Sequence, residues 1–360
     1  MEPLTSQDPR RVGRYQVLAR LGSGGMGRVY LARSYENRQV ALKVIRPDLA
    51  EDPTFRRRFE REVTASRAVR GPFTAEVIDA DSDGSPPWLA TAYIPGPSLQ
   101  EAVRIGGALP DATVRALGLG LVEALAAIHT ANVVHRDLKP GNVLLAPDRP
   151  RVIDFGISRV AEASALTHTG TAMGSPGYIP PEQIRGEQEV GSAADVFALG
   201  AVLAFASTGS GPFGEGTVET LLYRILHEEP YLDTVPSLLL DAVTACLKKE
   251  AARRPSLREV AAMLGTGERT IELFGPGWMP PLTSPLLDPR GILVHTTGGP
   301  DPTPAAPEAP EYHWPEPAGA GPHSVATWEA VPPAPEPAPA VTGPTRRRLI
   351  LAAAGATASA

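Results

Sequence analysis

Cysteine is almost missing from this chain: Cys246 is the single thiol among 360 residues. One thiol cannot form an intrachain disulfide. Such usage fits a reducing compartment, with Cys246 read as a small buried apolar residue on a helix. Lysine is nearly as scarce, since Lys43, Lys139, Lys248 and Lys249 are the only lysines among the 34 basic residues. An excess of positive charge is absent too. The formal net charge is -6, which leaves no basic footprint for nucleic acid as a partner. No internal repeat and no N-terminal signal sequence is visible. The apolar run 349–360, half of it alanine, has twelve residues, short of the about 20 that a membrane helix needs.

Proline is abundant but unevenly placed, with about half of the 39 prolines falling between Pro276 and Pro344. The chain before them mixes apolar and charged residues and can bury a core; the proline-rich part cannot. The expected organisation is an extension over 1–14, a folded domain over 15–270 and a Pro/Ala-rich linker over 271–345. A basic-apolar segment follows over 346–360. The linker reads as extended and solvated, with a ligand for a proline-binding module as the alternative. Arg346, Arg347 and Arg348 before the apolar run read as the start of a membrane helix, which would tether residues 1 to 348 on the cytoplasmic side. A twin-arginine export signal and a plain basic tail are the rival readings.

Within the folded part, Tyr15 to Leu31 and Gln39 to Ile45 read as strands, with a glycine-rich turn between Gly22 and Gly27. Thr54 to Val69 has helical spacing, with Phe55, Phe59, Val63 and then Ala65 or Ser66 on one side. Trp88 to Ile94 is a further strand, closing a small lobe over about 15–94. The larger lobe, about 95–270, opens with a long helix whose buried stripe is Val114, Leu117, Leu121, Leu125 and Ile128, capped by Asp111. Val196 to Ala206 is apolar on all sides and reads as a central buried helix, and helical patterning continues to Leu264.

The chemistry is concentrated in four short stretches. Leu21, Gly22, Ser23, Gly24, Gly25, Met26, Gly27, Arg28 and Val29 form a G-x-G-x-x-G-x-V loop. By itself such a loop is either a phosphate cradle or a tight hairpin with no ligand. Val40-Ala41-Leu42-Lys43 follows on the next strand, and Lys43 matches the lysine that contacts nucleotide phosphates. Asp137, Lys139 and Asn142 lie in H-R-D-L-K-P-G-N, and Asp154 opens D-F-G. Together they supply a base, a phosphate clamp and two metal ligands, the parts phosphoryl transfer requires. Two of the lysines sit in these motifs because a compact ammonium fits between phosphate oxygens where a guanidinium is too wide.

From Tyr15 to Leu264 the chain resembles the Hanks-type serine/threonine kinases of bacteria and, within them, the AfsK-like kinases of actinomycetes. The resemblance is carried further by Leu89-Ala90-Thr91-Ala92-Tyr93, by Arg151 to Ile157 and by Asp195-Val196-Phe197-Ala198-Leu199-Gly200. It implies an α+β, two-lobed protein kinase fold, with ATP and Mg2+ (or Mn2+) in the cleft. Asp137 would orient and deprotonate the attacking hydroxyl, Lys139 would neutralise the moving phosphoryl group, and Asn142 and Asp154 would hold the metal. The resemblance further implies that Leu21, Gly22, Ser23, Gly24, Gly25, Met26, Gly27, Val29, Ala41 and Lys43 contact ATP. Thr91 would be the gatekeeper, and Ala92 to Ile94 would offer backbone to adenine.

By the same resemblance Glu62 would hold Lys43, with Glu60 the alternative; Asp195 would brace the catalytic loop; and Glu182 would pair with Arg254. Thr169 and Thr171 are the favoured activation phosphosites, to which Arg136 would offer a dock. Protein serines and threonines are the expected substrates, with self-association for trans-autophosphorylation. Pro180 stands where the family has alanine and Ser175 where it has threonine, departures compatible with activity. The rival readings are a scaffolding pseudokinase and a small-molecule kinase. Arg136 and Lys139 speak against the second, because the related antibiotic and sugar phosphotransferases show H-G-D-x-H-x-x-N.

Overall fold

The computed structural model describes residues 1–155, 176–187, 190–265, 270–275 and 277–279. Thr169, Thr171, Ser175 and residues 280–360 lie outside them.

The small lobe is a six-stranded antiparallel sheet in the order β1-β2-β3-β4-β6-β5. Its first four strands are β1 (Arg11–Val12), β2 (Tyr15–Gly24), β3 (Gly27–Arg33) and β4 (Gln39–Ile45). A short helix α1 (Pro47–Ala50) and the longer α2 (Pro53–Ala68) precede β5 (Val77–Asp81) and β6 (Trp88–Ala92). Alternation splits the sheet into two apolar faces. Tyr15, Tyr30, Val40, Leu42, Trp88 and Ala90 pack on the outer one. On the inner one Ile45 and Leu89 meet Phe55, Phe59 and Val63 of α2.

Asp52 caps α2 by accepting from Thr54 N at 2.8 Å. Ser66, and not Ala65, completes the buried side of that helix. Strand β5 was not foreseen, because Asp79 and Asp81 mask the strand signal; such charges suit an edge strand. Residues of the expected 1–14 extension are tied to the sheet: β1 pairs with β2, and Glu2 exchanges backbone hydrogen bonds of 2.9 Å with Arg20.

The large lobe begins with α3 (Leu99–Gly106), held by a reciprocal Ser98–Glu101 cap, and α4 (Asp111–Thr130). Pro110, not Asp111, occupies the cap position of α4. Asp111 is the first helical residue, where its charge favours the helix dipole without a capping bond. By length and composition α4 could cross a membrane, but it lies largely buried in the core. The hairpin β7 (Val143–Leu145) and β8 (Pro150–Val152) follows, then α5 (Pro181–Ile184). Helix α6 (Ala193–Thr208) is buried on every side and ends at Gly209 in the left-handed region. The last helices are α7 (Val218–His227), α8 (Ser237–Cys246) and α9 (Leu257–Leu264). Helices α6 and α8 meet at Gly200, where an added methyl would lie 2.6 Å from Cys246 Cβ.

The packed body continues past residue 270, where the sequence reading begins the linker. Phe274 stacks edge-on against Phe73 and Trp278, with centroids 5.3 and 5.1 Å apart. The Trp278 indole donates to the Ala146 carbonyl at 3.0 Å. Large aromatic residues among the first prolines bury enough apolar surface to stay docked.

Candidate active site

The cleft face of the small-lobe sheet is set by register. Gly22 lies opposite Val29, Val29 opposite Lys43, and Ala41 opposite Thr91, so Val29, Ala41, Lys43 and Thr91 share one face. Around Gly22, Gly24 and Gly25 a methyl group would meet nothing within 4 Å, so the loop backbone is open to a close ligand. Gly27 is glycine for another reason: a methyl there would collide with the Val44 carbonyl of β4. Leu21 is half-buried and Ser23 exposed at the same hairpin. Met26 differs from these neighbours. Its side chain turns into the core with Ile45, Phe55 and Phe59, so only its backbone is left to face a ligand. Ala92 N is committed to Glu76 O at 2.8 Å, while Thr91 and Ile94 line the exit of β6 half-buried.

The loop that carries Asp137, Lys139 and Asn142 lies between α4 and β7. Lys139 Nζ reaches both carboxylate oxygens of Asp137, at 2.9 and 2.7 Å. Asn142 Nδ2 donates to the Asp137 carbonyl at 2.8 Å and to its carboxylate at 3.1 Å. A single helical turn, Pro140–Asn142, brings these groups together. The Ile153 amide then donates to Asn142 O at 3.0 Å, which sets Asp154 beside the same loop.

Lys43 Nζ is paired with Asp154 Oδ2 at 3.1 Å. Glu62 sits half-buried on α2 beside Val63, and Ser66 of the same helix donates to Phe155 O at 3.4 Å. Burial works to raise the Asp154 pKa. Lys43 beside it, aided by His135 and Lys139, outweighs burial and holds the carboxyl below its ordinary value. Arg136 and Asp154 both adopt left-handed backbone, φ 65° and 57°. For residues with side chains this costs of order 1–3 kcal/mol each, a strain characteristic of active sites.

A buried carboxylate holds the loop from behind. Asp195, fully buried on α6, accepts from His135 N at 2.9 Å and Arg136 N at 2.8 Å, and it contacts His129 Nε2 at 2.7 Å. His129 was missed in the sequence, since nothing local marks a contact with a residue 66 positions away. Farther out, Arg254 grips Glu182 through two bonds of 2.6 and 2.7 Å and also donates to three backbone carbonyls.

Among the described residues no three His, Cys, Asp or Glu side chains cluster to hold a metal ion. The residues of the cleft that could offer oxygen to a metal are Asn142 and Asp154, one an amide and the other a carboxylate. That number of protein oxygens suits a hard cation whose remaining ligands are phosphates and water. With the open glycine backbone and Lys43, these residues fit a metal-bound nucleoside triphosphate.

A sheet-rich lobe and a helical lobe meeting at this constellation define a protein kinase. The chain belongs to the protein kinase family: residues 15–264 match the protein kinase domain. It is 47% identical to PkwA of Thermomonospora curvata over 313 residues, 87% of this chain and 41% of that one. It is likewise 47% identical to AfsK, a serine/threonine-protein kinase of Streptomyces coelicolor, over 81% of this chain and 37% of that one. The chain thus spans about two fifths of the length of these relatives. The crystal structure of the Mycobacterium tuberculosis PknI kinase domain covers 72% of this chain, with 98% of that domain aligned, a TM-score of 0.57 and 28% identity. Proteins of this family use ATP with a divalent metal.

Proposed function

We propose that the chain is a serine/threonine protein kinase that transfers the γ-phosphoryl group of ATP to protein hydroxyls in bacterial signalling. The observation that carries this reading is the Asp137 carboxylate, held by Lys139 and Asn142 and lying beside the Lys43–Asp154 pair. Asp137 takes the proton of the attacking hydroxyl, and Lys139 meets the charge of the moving group. Asn142 and Asp154 are the residues for the metal, with Mg2+ the preferred ion and Mn2+ a substitute. When bound, that ion neutralises phosphate charge. Lys43 aligns the phosphates, the loop from Leu21 to Val29 covers them, and Thr91 to Ile94 border the adenine. Glu62 steadies Lys43 from α2. A pseudokinase role is disfavoured because Lys43, Asp137, Lys139, Asn142 and Asp154 are all present in the chain.

Arg136 and Lys139 favour a protein acceptor. Thr169 and Thr171 are the proposed sites of autophosphorylation, reached in trans by a second copy. Arg346 to Arg348 before the apolar run support a tether with the kinase domain on the cytoplasmic side. Two experiments test these assignments. Labelled ATP offered with a mixed protein acceptor and with free sugars or aminoglycosides should mark the protein alone; label on the small molecules would contradict the substrate class. Residues 1–360 alone should fractionate as soluble, since twelve residues are too few to span, whereas a natural product with a longer apolar run should pellet with membranes; recovery of that product without detergent in the soluble fraction would contradict the tether.

A further inference from the structure

Asp8 is a buried carboxylate on the outer side of the hairpin whose tip is the glycine-rich loop. Its side chain has no exposed surface. It accepts from Thr5 N and Thr5 Oγ1 at 2.8 Å each, from Arg20 Nη2 through both oxygens at 2.8 Å, from Tyr30 Oη at 2.9 Å and from Arg28 Nη1 at 3.3 Å. The Arg20 guanidinium and the Thr5 amide hold its carboxyl far below the usual range, so it stays charged. Few carboxylates are both sealed from water and so fully partnered.

The donors are placed on either side of a break in the β2–β3 ladder. Arg20 is opposite Tyr30 and Ser23 opposite Arg28, and the register slips between Arg20 and Gly22. A slip of this kind leaves backbone groups unpaired and bends the strand, which makes it a pivot for the tip. Asp8 holds Arg20 and Tyr30 on the body side of the slip and Arg28 on the tip side. Arg28 and Tyr30 share the outer face, so Val29 between them faces the cleft opposite Lys43. The backbone exchange between Glu2 and Arg20 and the packing of Leu4 on the outer cluster fix the far end of the segment.

We propose that residues 2–8 are a clamp that positions the glycine-rich loop, with Asp8 as the residue that locks the pivot. The clamp pre-orders the tip over Lys43, so less ordering is left to occur when nucleotide phosphates bind. The inference rests on the kinase reading of the cleft, and it concerns nucleotide affinity, not the chemical step.

Steady-state kinetics and hydrogen exchange on the full chain test it. Asp8→Ala should raise KM for ATP about fivefold with kcat within about twofold of wild type, the split expected when only binding pre-organisation is lost. Amide exchange at residues 21–28 should quicken. Arg28→Ala removes only the partly exposed tip-side arm and should raise KM in the same direction. It decides the question should Asp8→Ala not fold. Arg14→Ala breaks a separate ion pair with Asp79 (2.9 Å) and should change neither constant. An unchanged KM in both clamp variants, or a fall in kcat and melting temperature with KM unmoved, would overturn the clamp. A wild type that bound ATP without transferring it would overturn the kinase reading alone, with ATP affinity replacing KM as the readout. One that bound no nucleotide would overturn both.

Discussion

Lys139 holds both oxygens of the Asp137 carboxylate, at 2.7 and 2.9 Å, from only two residues away in the chain. On the kinase reading, an ammonium so placed would serve both the base and the moving phosphoryl group, and it would contribute most as charge moves between them. Replacing Lys139 with Ala should therefore lower kcat about 100- to 1,000-fold, the usual loss of one transition-state donor, while KM for ATP stays near wild type. Steady-state kinetics at varied ATP checks this. A raised KM with kcat unchanged would assign Lys139 to binding instead.

Asp154 should depend on Lys43 for its low pKa. Because its folded value lies below the unfolded one of about 4, it contributes stability above that pH and loses it as the pH falls through the folded value. Lys43→Met removes the chief lowering influence and leaves burial, which acts upward. The pH midpoint of metal-dependent nucleotide binding should consequently move up in the variant. Binding curves across mildly acidic pH measure it, and an unmoved midpoint would contradict the coupling.

Glu182 and Arg254 form a buried ion pair, with side chains 6% and 0% exposed. Glu182→Ala strands the guanidinium and should cost about 3–5 kcal/mol in chemical denaturation, as removal of one partner from such a pair does. The double change Glu182→Ala with Arg254→Met should cost less than the sum of the single changes. Additive losses would mean that the pair is not coupled.

Activation should require phosphate on Thr169 or Thr171, which lie outside the described residues. Replacing both with Ala should remove most activity of enzyme purified in its phosphorylated form, as when a loop ordered by phosphate on Arg136 is lost. Phosphosite mapping of active enzyme that found this segment bare would contradict it.

Contiguity largely decided what could be read from the sequence. The loop from Gly22 to Gly27, Lys43, the stretch Asp137 to Asn142 and Asp154 each carry their proposed chemistry within a few residues, and the strand Gln39–Ile45 and the stripe of α2 follow from simple periods. Contacts closed over long separations were harder. The Glu182–Arg254 pair was legible only through family resemblance, and the His129–Asp195 contact and the Asp8 cluster were not legible at all. Met26 lies inside a ligand motif yet serves the core, because the turn that exposes the glycines points its side chain at α2. Two aspartates disguised β5, and Phe274 and Trp278 anchor a stretch whose prolines suggested a linker.

The most direct test of the kinase reading compares wild type with Asp137→Asn in transfer of radiolabelled γ-phosphate from ATP to protein. The account predicts acid-stable label on serine or threonine with wild type, reduced about 100- to 10,000-fold in the variant, the range for loss of a general base. The variant should keep the wild-type melting temperature and ATP affinity. Undiminished labelling by Asp137→Asn, or none by fully phosphorylated, metal-supplied wild type, would contradict it.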